Sequence, residues 1–239
     1  MNRLPQCLES VGWADAIMVL HVGGGEPAVG SNRSPSAVIR KARSATELEK
    51  MGKEVKTDWV LRLWGEEQVG ARLKEELHRV SKGSQGIPSA YRIPIRSRVL
   101  NRWVHGSLWG HSPACRFSSF VDDLSPEWWN VEQEKSAVFP EPLKGSIDDY
   151  TLEDLAGGFE QIHRVSDLWA EHLDATIHSS VSMALRPFSV FFGSMWMNGF
   201  VSHGLAGLTF STLAAYATLL SGAKAWESRN VSEKGKEQS

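Results

Sequence analysis

Hydrophobic and polar positions follow two different periods along this chain and predict several short elements near the N-terminus. Residues 16–22 form an apolar run that ends at three glycines, which is typical of a buried strand followed by a turn. The alternation in residues 59–64 predicts a second strand. Ser34 and Pro35 have the form of a helix start, and the three- and four-residue spacing of apolar side chains in residues 66–80 predicts a further helix.

The C-terminal part carries the strongest helical pattern of the sequence. Thr151 with Asp154 three residues later approximates a capping box, and apolar residues then follow one helical face as far as Val181. Pro187 predicts that this helix ends or kinks near Arg186, because proline lacks the backbone donor that a helix interior needs. We therefore predict an α+β fold that is mostly helical, with a small N-terminal α/β part and a helical C-terminal part.

Composition divides the chain into four regions. Its 239 residues are 41% hydrophobic and 23% charged, which suffices for a core and excludes disorder over most of the length. We expect an N-terminal α/β region in residues 1–80 and a helical region in residues 151–225. Between them, residues 81–150 contain a basic segment with tryptophans and then an acidic linker. Residues 226–239 are rich in Lys, Glu and Ser, which predicts a disordered tail.

Charge is segregated along the chain although the net charge is only −2. Residues 77–121 contain seven Lys or Arg and no acidic residue, whereas residues 122–175 contain 14 acidic residues and three basic ones. Opposite charges distributed in this way favour pairing within a compact fold. The alternative is an RNA-binding accessory protein that uses phosphate contacts and base stacking. The residues of that alternative are Arg96, Arg98, Arg102 and Trp103.

An uncharged segment near the C-terminus raises the question of a membrane. Residues 187–223 run for 37 positions without Lys, Arg, Asp or Glu. This length can cross a bilayer, but glycines, hydroxyl side chains and a histidine dilute the apolar character. The segment is compatible with a buried helical pair, with a spanning helix, or with association at a membrane surface. A membrane-associated structural protein is therefore a further alternative.

Candidate catalytic and metal-binding residues in the sequence do not form a complete set. Cys7 and Cys115 cannot supply a disulfide framework or a four-cysteine zinc site, which favours an intracellular protein. His105, His111 and Cys115 lie in one short segment, but a fourth zinc ligand is missing. We therefore expect no metal, no cofactor and no catalytic residue, and we interpret the protein as one that is not an enzyme.

Three short patches of residues, spread in order along the chain, carry a resemblance to a known family. They comprise Gly65, Glu67-Gln68-Val69, Arg72 and Leu77-His78, then Gly106, Leu108, Gly110 and Pro113-Ala114, and finally Leu152, Leu155, Gly157, Phe159, Ile162 and Arg164. Together they resemble the silencing suppressor that open reading frame zero of poleroviruses and enamoviruses encodes. The middle patch sits where that family carries a Trp-Gly pair and a Gly-x-x-Pro-Ala run. We expect its residues Gly106, Trp109, Gly110 and Pro113 to determine the fold rather than to contact a partner.

The resemblance implies a viral, non-enzymatic adaptor in the cytoplasm of the host cell. Such suppressors act like F-box proteins, which recruit a Skp1-type subunit of the host ubiquitin ligase and direct Argonaute to degradation. An F-box-like segment lays a short helical motif with a leading Leu-Pro into a groove of its partner. The segments that match part of this motif are Leu4-Pro5-Gln6-Cys7-Leu8 and Ile87-Pro88. The partner-binding residues implied by the resemblance are therefore Leu4, Pro5, Leu8, Ile87 and Pro88.

Overall fold

Short strands dominate the N-terminal part of the described chain, and long helices dominate the C-terminal part. A computed structural model describes residues 3–22, 37–42, 47, 50–51, 57–83, 90–108, 114–118, 141–176, 180–197 and 199–237. The helices are α1 (Leu4–Ser10), α2 (Ala71–Ser81), α3 (Leu155–Thr176), α4 (Ser180–Phe192) and α5 (Leu205–Glu237). The strands are β1 (Ile17–Val22), β2 (Ala37–Ala42), β3 (Val60–Leu61), β4 (Glu67–Val69), β5 (Ala90–Ile93), β6 (Ile95–Val99), β7 (Arg102–His105), β8 (Ala114–Ser118) and β9 (Ile147–Asp149). A π-helical turn, Gly193–Met197, follows α4, and a 3-10 turn, Phe200–His203, precedes α5.

The fold class is mixed α/β, so the prediction of a mostly helical protein is wrong. Among the described residues, 53% are helical and 23% lie in strands, which form three sheets. The prediction failed because the basic segment forms strands β5 to β8 and the end of the acidic linker forms β9. In β6, the arginines at positions 96 and 98 alternate with buried Ile95, Ser97 and Val99. This alternation has the period of a strand, but its outward positions are charged and its runs are short.

The three sheets have different strand directions. β1 and β2 form a parallel pair, and β3-β8-β5 form an antiparallel sheet. The third sheet has the order β4-β9-β6-β7, in which β9 pairs antiparallel with β4 and parallel with β6. The turn between β6 and β7 places Leu100 and Asn101 at positive φ, as a two-residue hairpin turn requires.

Contact between residues divides the chain into two units. The first comprises Met1–Arg98 and His105–Thr151, and the second comprises Val99–Val104 and Leu152–Ser239. Helix α2 supplies buried Leu73 and Leu77 to the core of the first unit. The other buried members of this core are Val11, Val69, Ile93, Ile95, Phe117 and Ile147.

Gly145 allows the chain to pass directly over the backbone of α2 in the first unit. A Cβ atom at this position would lie 2.5 Å from the Cα atom of Leu73, so only glycine fits without a shift of the backbone. The Oε2 atom of Glu76, also on α2, accepts hydrogen bonds from the backbone N–H groups of Lys144 (2.8 Å) and Gly145 (2.9 Å). This buried carboxylate therefore satisfies the backbone donors of the segment that leads into β9.

The second unit is built around α5, against which both α3 and α4 pack. Phe200 and Phe210 form a buried edge-to-face pair with ring centroids 4.8 Å apart. Gly207 lies against the backbone of Phe200, where a Cβ atom would be 2.0 Å from the carbonyl oxygen. Helix α5 continues to Glu237 and so includes described residues of the segment 226–239, for which composition predicts disorder.

Several element predictions need correction. Residues 16–22 contain the predicted strand, β1, but the helix predicted from Ser34 and Pro35 is wrong because the described residues 37–42 form β2. Pairing with the apolar strand β1 overrides the weak local helix signal, and valine and isoleucine suit a strand. Of the predicted end or kink near Arg186, the end is wrong, because α4 contains Pro187 and continues to Phe192.

Candidate interaction surfaces

The F-box-like segment at the N-terminus forms a helix, α1, that begins at Leu4 with Pro5 in its first turn. Proline suits this position, since the first backbone N–H groups of a helix have no partner within the helix. The side chains of Leu4 and Pro5 are half-buried, whereas Cys7 and Leu8 are buried. Of the implied partner-binding residues on this helix, Leu4 and Pro5 are therefore accessible and Leu8 is part of the core.

Several contacts fix α1 to the rest of the first unit. The hydroxyl of Ser10 accepts a hydrogen bond from the backbone N–H of Val69 (3.1 Å), and the thiol of Cys7 donates to the carbonyl oxygen of Trp64 (3.4 Å). The guanidinium of Arg3 lies over the ring of Tyr150, 4.4 Å from its centroid. Burial, with the nearby carboxylates of Glu67 and Glu66, raises the pKa of Cys7 to about 12. This thiol is therefore protonated and unreactive at neutral pH.

Several residues that the resemblance singles out lie outside the described part of the chain. These are Ile87, Pro88, Trp109, Gly110 and Pro113. Gly106 is described and buried, and its carbonyl oxygen lies 2.9 Å from the hydroxyl oxygen of Ser97. Its role in this structure is thus a backbone contact inside the first unit.

A buried cluster of charged side chains lies under the third sheet, and the sequence interpretation missed it. Glu67 on β4 stands directly opposite Asp149 on β9, and neither is exposed to solvent. Arg116 on β8 is also buried and donates from Nη2 to the Oε1 atom of Glu67 at 3.0 Å. The Oε2 atom of Glu67 accepts a hydrogen bond from the backbone N–H of Trp64 at 2.8 Å.

Asp149 makes contacts that indicate a protonated carboxyl group. Its Oδ1 atom accepts from both the backbone N–H (2.9 Å) and the hydroxyl (2.6 Å) of Thr151, and its Oδ2 atom lies 2.9 Å from the hydroxyl oxygen of Ser97. The same hydroxyl also lies 2.9 Å from the carbonyl oxygen of Gly106, yet it has one hydrogen to donate. Both contacts are hydrogen bonds if Asp149 donates to Ser97 and Ser97 donates to Gly106.

The electrostatics of the cluster favour one retained proton in the pair of carboxyl groups. Burial raises the pKa of Glu67 to about 7 in spite of the nearby Arg116, and burial also raises the pKa of Asp149. Two buried carboxyl groups share one buried guanidinium, so the cluster retains a proton to near-neutral pH. With both carboxyl groups inaccessible to solvent, we interpret the cluster as a link between strands β4, β8 and β9.

The RNA-binding alternative depends on arginines of β6 and β7. Arg96 donates from Nη2 to Asp148 at 2.9 Å and from Nε to the other carboxylate oxygen of the same residue. Arg96 and Arg98 share the outward face of β6, and both are half-buried. On β7, Arg102 is exposed and Trp103 is half-buried. The basic and acidic segments thus pair at Arg96 and Asp148, as the charge segregation predicts for a compact fold.

The second unit exposes many large apolar side chains. On α4 and the π-helical turn, Leu185 is 61% exposed, Phe188 63%, and Trp196 74%. Exposed apolar residues on the 3-10 turn and α5 are Val201, Leu205, Leu208, Leu219 and Trp226. The segment Leu205–Arg229 is 25 residues long, and its most apolar 18-residue window has a mean hydropathy of 1.3, so by length and composition it could cross a membrane. Half of its most apolar window is buried, as in core helices of soluble proteins.

Polar contacts join α3 to α5 along a part of the second unit. The Nε2 atom of His163 lies 3.1 Å from the hydroxyl oxygen of Tyr216, and Lys224 donates to Asp167 and to the carbonyl oxygen of His163. Within the described ranges, no group of three or more His, Cys, Asp or Glu side chains is arranged to hold a metal ion. Comparison with known proteins adds no identification: no protein-family model matches the chain, and no solved structure is significantly similar to it.

Proposed function

We propose that this protein suppresses RNA silencing in the cytoplasm of a host cell as an F-box-like adaptor. In this proposal it binds a Skp1-type subunit of the host ubiquitin ligase and directs Argonaute to degradation. The proposal originates in the three patches that resemble the viral suppressors. One structural observation supports it: the Leu4-Pro5 pair begins a short helix, which is the form that binding of a helix in a partner groove requires.

The burial of α1 limits which side chains make the proposed contact. Leu8 is buried in the first unit, so it supports the helix instead of entering a partner groove. Leu4 and Pro5 are partly accessible, and Gln6 and Glu9 are exposed on the same helix. The apolar anchors are therefore Leu4 and Pro5, because a few apolar side chains usually supply most of the free energy of such an interface.

The test is co-expression in leaves of this protein, a silenced reporter gene and tagged Argonaute. The wild-type protein should restore the reporter and lower the amount of Argonaute, and a tagged Skp1-type subunit should co-purify with it. The variant with Leu4→Ala and Pro5→Ala should lose all three effects at equal protein abundance. The matched control Glu9→Ala changes an exposed side chain of the same helix and should behave like the wild type.

Two outcomes would contradict the adaptor. If the wild-type protein restores the reporter while Argonaute stays intact, the silencing step is blocked in another way, such as sequestration of RNA. If the Leu4→Ala and Pro5→Ala variant keeps full activity and still binds the Skp1-type subunit, α1 is not the partner-binding helix.

A further inference from the structure

Helix α4 buries one side and exposes an apolar side opposite to it. Pro187 and Ser194 are buried, about half a helical turn away from the exposed residues. The exposed residues Leu185, Phe188 and Phe192 follow at intervals of three and four, so they share one face. Trp196 on the following π-helical turn is exposed as well. Such a face in a water-exposed helix normally carries charged or polar side chains.

Helix α5 also buries one side and exposes apolar side chains on another. Ala206, Phe210 and Leu213 are buried and face the interior of the unit. Leu205 and Leu208 are 69% and 43% exposed, and two further exposed residues, Leu219 and Trp226, fall on the same side at helical spacing. Two neighbouring helices of one unit therefore each present an apolar face to the outside.

The charges around these faces fit lipid better than a protein partner. No Lys, Arg, Asp or Glu occurs in residues 187–223, so His203 is the one residue of this segment that could bring a positive charge into an apolar phase. The last charged residue before this run, Arg186, is exposed and follows Leu185 directly, at the border of the apolar face of α4. A cation in this position is complementary to anionic lipid headgroups. Tryptophan, here Trp196, is enriched at the interface between headgroups and hydrocarbon.

The neighbours of α5 exclude an orientation in which the whole helix lies inside a bilayer. α5 packs against α3, on which Glu160, Arg164 and Asp167 are exposed. These side chains belong in water, because burial of a charge in hydrocarbon costs several kcal/mol, on the order of 3 or more. A membrane can therefore contact this unit only at an outer face, at the depth of the headgroups and upper acyl chains.

We propose that the outward face of α4, together with the π-helical turn that follows it, is a peripheral docking surface for an anionic lipid bilayer. Phe188, Phe192 and Trp196 are its apolar anchors, and Arg186 is its cation. This surface goes beyond the adaptor proposal, since it requires neither Argonaute nor a ubiquitin ligase. It gives the second unit a role that the resemblance does not supply.

The experiment is flotation of the full chain with vesicles of phosphatidylcholine, with and without phosphatidylserine. The wild-type protein should float with both and more strongly with phosphatidylserine. A variant with Phe188→Ser and Trp196→Ser should lose at least about tenfold in binding, because each substitution removes a large apolar side chain from the interface. The control Val38→Ser removes an exposed apolar side chain from the first unit and should float like the wild type. Circular dichroism checks that all variants are folded.

Four results would overturn this proposal. The first is a wild-type protein that stays at the bottom of the gradient with either vesicle. The second is equal flotation of the Phe188→Ser, Trp196→Ser variant and the wild type. The third is resistance of bound protein to alkaline carbonate, which extracts peripheral proteins but leaves spanning ones in place. The fourth is a homodimer that dissociates in the same variant without lipid binding, since a second copy would then cover the surface.

Discussion

The shared proton of the buried cluster predicts how the stability of the protein depends on pH. In the folded protein the pKa of Glu67 is about 7, compared with 4.5 for an ordinary glutamate, and the pKa of Asp149 is also raised. Between these two pH values the folded chain keeps a proton that the unfolded chain has lost. The free energy of unfolding should therefore be highest below about pH 4.5 for this group and fall as the pH rises through about 7.

The Asp149→Asn substitution mimics the protonated state. Its amide Nδ2 can donate to Ser97 as the protonated acid does, and its Oδ1 can still accept the two hydrogen bonds from Thr151. Glu67 and Asp149 titrate as a pair, so the raised pKa of about 7 at Glu67 belongs to the one proton that they share. One pKa unit corresponds to about 1.4 kcal/mol, so the pair loses about 3 kcal/mol across the window. At about pH 8 the variant should thus be more stable than the wild type, and at about pH 5 the two should agree within about 1 kcal/mol.

Urea unfolding, followed by tryptophan fluorescence at several pH values, measures this difference. The matched variant Glu67→Gln also removes one acid. Its amide NH2 group would, however, point at another hydrogen-bond donor, either the backbone N–H of Trp64 or the guanidinium of Arg116. Its free energy of unfolding should therefore be about 1 to 3 kcal/mol lower than that of the wild type at every pH, whereas removal of a charge alone would give a pH-dependent difference. The exposed control Glu75→Gln should reproduce the wild-type curve. The reasoning is refuted if Asp149→Asn keeps the wild-type pH dependence, or if both buried variants behave alike.

Two further predictions concern close contacts in each unit. Gly207→Ala should lower the stability of the second unit by about 1 to 3 kcal/mol, because the new Cβ would overlap the carbonyl oxygen of Phe200. Gly193→Ala is the control, since nothing lies within 4 Å of a Cβ there, and thermal unfolding by circular dichroism compares the two. Leu73→Ala should cost about 2 to 5 kcal/mol in urea unfolding because the side chain is fully buried. A change under about 1 kcal/mol would mean that the core assigned to α2 is wrong.

Local patterns in the sequence predict those elements whose apolar side chains keep one period over the whole element. The apolar run at residues 16–22 corresponds to β1, and the periodic residues of 66–80 largely correspond to α2, which begins at Ala71. The first residues of that range, 67–69, instead form β4, because they pair with β9. β4 pairs with a strand about 80 positions away and β2 with one about 20 positions away, so periodicity predicts neither strand.

The buried cluster could be read only in part from the sequence. Glu67 and Asp149 each stand two positions from a buried apolar residue, Val69 and Ile147, which places them on the inward side of short strands. An acid at such a position is a signal of a buried polar site. The sequence does not indicate that the two acids face each other or that Arg116 joins them, because this depends on the register of β4 with β9.

Of the 15 residues of the family resemblance whose burial the structure describes, seven are buried in this fold. Val69, Leu77, Leu108, Leu152 and Ile162 are buried, and Glu67 belongs to the buried cluster. These buried positions are evidence about how the chain folds more than about what it binds, since buried side chains are constrained by packing. The exposed patch residues Arg72, Phe159 and Arg164 belong to α2 and α3 and not to α1, on which the proposed partner contacts depend.

The two units differ in the kinds of side chain that they bury and expose. In the first unit, Glu67, Arg116 and Asp149 are buried and find their partners inside the fold. In the second unit, the exposed face of α4 and the π-helical turn carries aromatic and aliphatic side chains, where a water-exposed helix normally carries charged or polar ones. Trp196 is the most exposed of these side chains. A buried cluster is satisfied by its own chain, whereas an exposed apolar face leaves unfavourable contact with water until something covers it. The second unit is therefore the part of this protein for which we propose a binding surface from outside.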